Sequence, residues 1–471
     1  MSIKILAKKL PFPIKQSMKY LYGTIPPRFR YGKVFWDTYN FLQESQWWSK
    51  ERLEEYQMQQ LSKLLNHAYE NVPYYQKVFN ERGLCPKDIQ NFDDLRKLPY
   101  LTKEIIQENL PDLVARNYSK SKLQYVTTGG SIGIPMGFYQ EKGVSAAKEQ
   151  AFMLAQWNRV GFKIGDRCVV LRGNVVHSAS KGKLWEYEPI NKTLILSSYY
   201  MTDAVLPRYI EKIMDFHPDF IHVYPSTITI LAKFMKENNI KPFHSVKALL
   251  CGSENFYPWQ RELLEDVFKC RAYSWYGHSE QAVLAGECEK SPYYHIFPEY
   301  GLVEIIDESE NPVSEEGKAG EIIATGFNNY AIPFIRYRTG DIAVHSNQRC
   351  SCGRNYPLLK KIEGRVQDYF ISACGDLIPL TGGYGFVLKE SKNIEKAQFY
   401  QEKKGDVILK IIKKNDYSND DSLKIYDDLN QRYGYDINFK IEFVNDIPRT
   451  KSGKFRFLIQ KLPIEFGDNY H

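Results

Sequence analysis

The chain has 471 residues, 43% of them hydrophobic and 25% charged. That balance excludes a disordered or fibrous chain, and the length allows more than one domain. The net charge of +7 comes with no nucleic-acid recognition motif, so no nucleic-acid partner is expected, and no apolar run is long enough to span a bilayer.

The first residues, MSIKILAKKLPFPIKQSMKYLYG, lack the apolar core and cleavage site of a signal peptide, which leads to an expected cytoplasmic location. Lys4, Lys8, Lys9, Lys15, Lys19, Arg28, Arg30 and Lys33 are interleaved with Ile5, Leu6, Phe12, Leu21 and Tyr22. This reads either as a solvated basic arm or as a surface for the inner face of an anionic membrane. The eight cysteines are not expected to form a disulfide framework in such a compartment.

The first hundred or so residues read as helical and polar. In ERLEEYQMQQLSKLLNHAYE, Leu61, Leu64, Leu65 and Ala68 fall on one helical face. From about residue 160, short apolar runs alternate with amphipathic helices. Strands are expected at 167–171, 193–198, 220–224, 246–251 and 272–276. Helices are expected from Thr202 to Phe216, after Ser226 as N-cap to about Lys236, and over 259–268. This alternation implies an α/β domain with a parallel sheet. Beyond residue 300 the runs GLVEII, GEIIAT and DIAVHS mark a strand-rich part. The segments DVILKIIKK (406–414) and FKIEFV (439–444), with a helix candidate around 420–433, then suffice for a small α+β domain.

Five segments carry chemistry. YVTTGGSIGIPMGFY (125–139) crowds glycines and small hydroxylated residues after a strand-like approach. Such a loop offers backbone N–H groups to a polyphosphate, although plain turns share that composition. No Gly-Lys-Ser/Thr follows, so it is not a Walker A loop. The other four are YGHSE (276–280), RYRTGD (336–341), EGRVQD (363–368) and PRTKSGKFR (448–456).

In order and spacing these five resemble the adenylate-forming superfamily of acyl-CoA synthetases, luciferase and peptide-synthetase adenylation domains. YPST (224–227), LLCGSENF (249–256), CSCGR (350–354) and GRVQDYF (364–370) resemble its phenylacetate–CoA ligase branch. ENVPYYQKVF (70–79) is similar to CapK-like proteins associated with surface polysaccharide synthesis. The resemblance implies an α/β fold: a large N-terminal domain over 1–366, with parallel-rich sheets and a strand-rich subdomain, and a small mobile α+β lid over 367–471.

It also implies roles. Thr128, Gly129, Gly130, Ser131 and Gly133 would cover the β- and γ-phosphates of ATP. Gly252, Ser253 and Glu254 would form one wall of the adenine slot, with Tyr276 and Gly277 opposite. Ser279 would meet the α-phosphate and Glu280 would bind Mg²⁺, a hard cation suited to carboxylate oxygen. Asp341 would accept from the ribose hydroxyls, Arg365 would contact ribose or phosphate, and Lys454 would bridge the reacting carboxylate and α-phosphate. The acid pocket would involve Tyr224, Ser226, Gly252 and Trp275, suiting an aromatic or compact acid. Ile132 and Ile134 stand where the family usually has Thr and Lys, and Gln367 replaces the usual acidic or lysine hinge, with Asp368 as an alternative pivot. Each residue alone has an ordinary reading: a strand aromatic for Tyr276, a helix-start carboxylate for Glu280, a turn residue for Asp341, a surface loop for Lys454.

Cys288, His295, Cys350 and Cys352 could together make a closed Cys₃His zinc site; the alternative is two turn cysteines and a buried third. The implied activity is ATP-dependent formation of an acyl-AMP from a carboxylic acid, then transfer to a thiol such as coenzyme A. An amide-forming variant would use an amine or amino sugar. A non-catalytic nucleotide-binding scaffold within a polysaccharide assembly complex is the third reading.

Overall fold

A computed structural model describes residues 12–128, 136–172, 176, 184–198, 201, 203–365, 369–375, 377–380, 393–433, 437–448 and 455–462. Helices Phe12–Thr24, Gly32–Ser45, Lys50–Asn71 and Pro73–Glu81 open the chain. Ser49 caps Lys50–Asn71 by accepting from the Arg52 amide, satisfying one orphan donor of the first turn. Leu61, Leu64, Leu65 and Ala68 are buried, the face expected from their spacing. Pro73, which cannot extend that helix, starts the next.

Strands β1 (Leu123–Thr127) and β2 (Gly137–Glu141) form an antiparallel hairpin, with helix Ser145–Asn158 following. Next come β3 (Cys168–Leu171), β4 (Trp185–Glu188), β5 (Thr193–Leu196), β6 (Phe220–Val223), β7 (Ala248–Gly252), β8 (Arg271–Gly277), β9 (Leu284–Gly286) and β10 (Tyr294–Ile296). They join β11 (Gly301–Ile306), β12 (Ala319–Gly326), β13 (Tyr337–Ser346) and β14 (Leu358–Arg365) in one 12-stranded sheet ordered β11-β12-β13-β14-β10-β9-β8-β7-β6-β3-β5-β4.

The sheet has two halves. Strands β5, β3, β6, β7 and β8 run parallel, joined by crossover helices Leu206–Phe216, Pro225–Glu237 and Pro258–Phe268. Helices bury such strands on both faces, so FIHV and ALLCG are buried at every position. From β8 outwards the pairing is antiparallel. Ser226 corrects one expectation: Tyr224 is the N-cap of Pro225–Glu237 and Pro225 occupies its first turn. Proline tolerates that position because its missing N–H would go unsatisfied anyway. The Ser226 hydroxyl is spent on Glu254 instead.

After the short hairpin of β15 (Tyr369–Ile371) and β16 (Leu377–Pro379), the C-terminal segment forms its own layer. β17 (Ile394–Lys403), β18 (Asp406–Lys413), β19 (Asn438–Phe443) and β20 (Leu458–Gln460) form a sheet ordered β19-β18-β17-β20, covered by helix Asn419–Tyr433. Phe370, Phe399, Leu409, Leu429 and Phe439 centre a separate core, joined by Tyr257 from the larger part. The domain boundary expected after residue 366 falls on 366–368, outside the described residues.

Candidate active site

The site residues leave the carboxyl ends of the parallel strands, the crevice where open α/β sheets bind ligands. Arg172 follows β3, Tyr224 follows β6, Ser253 and Glu254 follow β7, and Ser279 and Glu280 follow β8. Ser253 has φ +66°, a left-handed conformation for a non-glycine residue. Such backbone collects at functional sites because the surrounding structure must hold it there. Gly252 has a steric reason to lack a side chain, since a Cβ there would lie 2.5 Å from the Trp275 indole.

The Tyr276 hydroxyl donates to Asp341 Oδ2 at 2.7 Å, joining the YGHSE and RYRTGD segments. Asp341 is 7% exposed, with a carboxylate that can accept further hydrogen bonds. Four strand spacings separate β8 from β13 in the sheet order, roughly 19 Å if the sheet were flat. The hydrogen bond therefore requires a curled sheet. Register shifts of β13 against β14 at Ile342/Ala343 and Val344/His345 supply local bending.

Glu280 is buried, with a polar neighbour beside each carboxylate oxygen. Tyr337 donates to Oε1 at 2.8 Å, and His278 Nδ1 lies 3.2 Å from Oε2. Burial pushes its pKa up, but His278 and Tyr337 outweigh this and bring it down to about 2 from an ordinary 4.5. An ionised carboxylate at this position suits a hard divalent cation. The Ser279 carbonyl accepts from Gln140 Nε2 at 3.1 Å, tying YGHSE to the β1–β2 hairpin. Thr128 stands at the base of the glycine-rich loop, where its hydroxyl accepts from the Met136 amide at 3.1 Å. Gly129, Gly130, Ser131 and Gly133 lie outside the described residues, as does Lys454; Arg365 is described only as the backbone end of β14.

Glu254 joins the two parts of the chain. Its Oε2 accepts from the Ser226 amide at 2.9 Å, and its Oε1 from the Ser226 hydroxyl at 3.1 Å and the Phe455 amide at 3.0 Å. Phe455 is the residue after Lys454. Phe457 packs edge-on against Tyr257 at 5.5 Å, and Asn255 Nδ2 donates to the Glu363 carbonyl at 3.3 Å.

Arg172 and His222 escaped the sequence reading. The Arg172 guanidinium donates to His222 Nε2 at 2.6 Å and to the Ser253 hydroxyl, and lies 5.2 Å from the Tyr224 ring and 5.7 Å from Trp275. Burial, reinforced by the Arg172 charge, holds His222 neutral, well below its ordinary pKa. Buried Arg172 Nε and Trp275 Nε1 have no hydrogen-bond partner among the described residues. A strand ending in VVLR and a histidine inside FIHVY were the available signals. Cys288, His295, Cys350 and Cys352 meet elsewhere, with their ligating atoms within 4.8 Å of one another.

Residues 382–461 match the CapK C-terminal domain family. Over 457 residues the chain is 26% identical to "Protein CapK" of Staphylococcus aureus, covering 96% of this chain and 98% of the relative. It is 30% identical over 333 residues to phenylacetate-coenzyme A ligase of Pseudomonas putida, covering 69% of this chain and 73% of that one. In fold it resembles 2-hydroxyisobutyryl-CoA ligase in the postadenylation state in complex with its acyl-AMP, with TM-score 0.71, 18% identity and coverage of 89% and 93%. The chain belongs to the phenylacetate–CoA ligase family of adenylate-forming enzymes and is an AMP-forming ligase.

Proposed function

We propose that the enzyme activates a carboxylic acid with ATP and passes the acyl group to the thiol of coenzyme A. An oxygen of the acid carboxylate attacks the α-phosphorus and pyrophosphate leaves. The thiol sulfur then attacks the acyl carbonyl, AMP leaves, and the thiol proton passes to solvent. Positioning and neutralisation of phosphate charge lower the first barrier. Asp341 accepts from the ribose, Tyr276 flanks the adenine, and Ser279 meets the α-phosphate. Thr128 and the loop after it cover the outer phosphates. Glu280 would hold Mg²⁺, whose charge offsets that of the phosphates. Lys454, on a small C-terminal domain beginning near residue 367, bridges the carboxylate and α-phosphate.

The observation that carries this reading is the Phe455 amide on Glu254. It ties the residue next to Lys454 to the wall of the nucleotide slot. For the acid, Tyr224, Ser226 and Trp275 offer an aromatic-lined pocket. Arg172 Nε and Trp275 Nε1 add buried donors, which favour a compact or aromatic acid carrying a second polar group.

A second reading, transfer to an amine such as an amino sugar, is favoured by one finding. The likeness to CapK runs through 96% of the chain and matches the C-terminal segment separately. The test is acid-dependent ATP consumption with mass detection of AMP. Aryl, fatty, hydroxy and amino acids are offered with either coenzyme A or an amino sugar. AMP with an acyl product is expected, and the accepted acceptor decides thioester against amide. No AMP with any acid would overturn both readings and favour a nucleotide-binding scaffold.

A further inference from the structure

Cys288 lies just beyond β9, His295 lies in β10, and Cys350 and Cys352 sit in the connection from β13 to β14. None of the four takes part in the adenylation chemistry above. The Cys288 and Cys350 sulfurs are 3.5 Å apart, and the Cys352 sulfur is 3.3 Å from His295 Nε2. A tetrahedral zinc ion with Zn–S of about 2.3 Å and Zn–N of about 2.05 Å has edges of roughly 3.8 and 3.6 Å. Both separations are near these values, whereas a disulfide would need about 2.05 Å.

The surroundings suit ligation. His295 Nδ1 is 3.0 Å from the Tyr293 carbonyl, which favours the proton there and leaves the Nε2 lone pair facing Cys352. The Cys288 sulfur accepts from the amide two residues on, Lys290, at 3.3 Å. Cys350 and Cys352 sit in a tight turn closed by the Gly353 amide on the Cys350 carbonyl at 3.4 Å, and Gly353 has φ +85°, which that turn requires. Cys288 and His295 are fully buried. Three thiolates and a neutral imidazole around Zn²⁺ would leave a net charge of −1, beside which Arg354 and Glu289 form an ion pair at 3.0 Å.

We propose that these four residues bind one structural zinc ion that clips the β9–β10 and β13–β14 connections together and fixes the N-terminal helices to the sheet. The link to the helices is direct. Arg354 donates to Gln46 Oε1 at 2.9 Å and lies 4.7 Å from the Trp47 ring centre, and Asn355 Nδ2 donates to the Trp48 carbonyl at 2.9 Å.

The test begins with elemental analysis of the full chain purified without chelator. About one zinc per chain is expected, falling severalfold in Cys352→Ser and in Cys350→Ser. Cobalt exchanged into the wild type should give the intense visible bands of tetrahedral thiolate ligation, a readout that stands even where a variant fails to fold. Chelation should raise hydrogen exchange at 42–48 and 350–356 before it does so in the Asn419–Tyr433 helix. The proposal is overturned by protein that neither carries zinc nor takes up zinc or cobalt, or by a Cys288–Cys350 disulfide in the mass spectrum.

Discussion

Replacing Glu254 should separate the two half-reactions. Its carboxylate contacts Ser226 inside the large part of the chain and the Phe455 amide on the C-terminal segment. If the C-terminal domain rotates between steps, the Ser226 bonds persist in both orientations and cancel. Among the described residues, the Phe455 bond is the Glu254 contact that distinguishes them. A hydrogen bond to an ionised group contributes about 1.5–3 kcal/mol. Removing about 2 kcal/mol from one orientation shifts a two-state equilibrium roughly 30-fold. Glu254→Ala should therefore slow pyrophosphate exchange about 10- to 100-fold at saturating ATP, while thioester formation from added acyl-AMP changes little. Glu254→Gln retains a neutral oxygen acceptor and should lose only about fivefold. Saturating ATP separates this effect from any weakening of the adenine wall. Equal loss in both half-reactions, or loss in neither, would refute the idea that this bond selects the adenylating orientation.

Lys454→Ala should abolish adenylate formation yet spare thiol transfer from preformed acyl-AMP; parallel loss of both would remove its assigned role. Asp341→Asn exchanges an ionised acceptor for a neutral amide and should raise the KM for ATP about 10- to 100-fold, with Tyr276→Phe giving a smaller rise in the same titration. Glu280, depressed from 4.5 to about 2, adds stability that is fully present above its unfolded pKa and lost progressively as pH falls from there to about 2. The Mg²⁺ concentration for half-maximal activity should accordingly not vary through Glu280 between about pH 6 and 8, and a Glu280 titration in that window would contradict the arrangement with Tyr337 and His278. Leu64, buried at 0% exposure in the helical layer, should cost about 2–5 kcal/mol on conversion to alanine, read as a lowered melting temperature with the KM for ATP unchanged.

The sequence made local patterns visible because their causes are local. Buried parallel strands are apolar on both faces, so β3, β6 and β7 stood out as unbroken runs. The Lys50–Asn71 helix showed its buried face through residue spacing alone. The cysteine and histidine set was also legible, since Cys-x-Cys invites a search for further ligands. Arg172 and His222 were not, because their meaning lies in adjacency: they are 50 residues apart and meet only after β3 and β6 pair in parallel. Ser226 misled for a related reason. Its composition suits a cap, but a proline already occupied the first turn and a carboxylate 28 residues away took the hydroxyl. The Tyr276–Asp341 contact spans 65 residues and depends on sheet curvature. Strand spacing alone would have kept the two residues well apart. Bulges that produce such curvature arise from register between strands, which no single segment encodes. Thus the adenylation motifs mark which residues matter, while the bending of the sheet decides which of them touch.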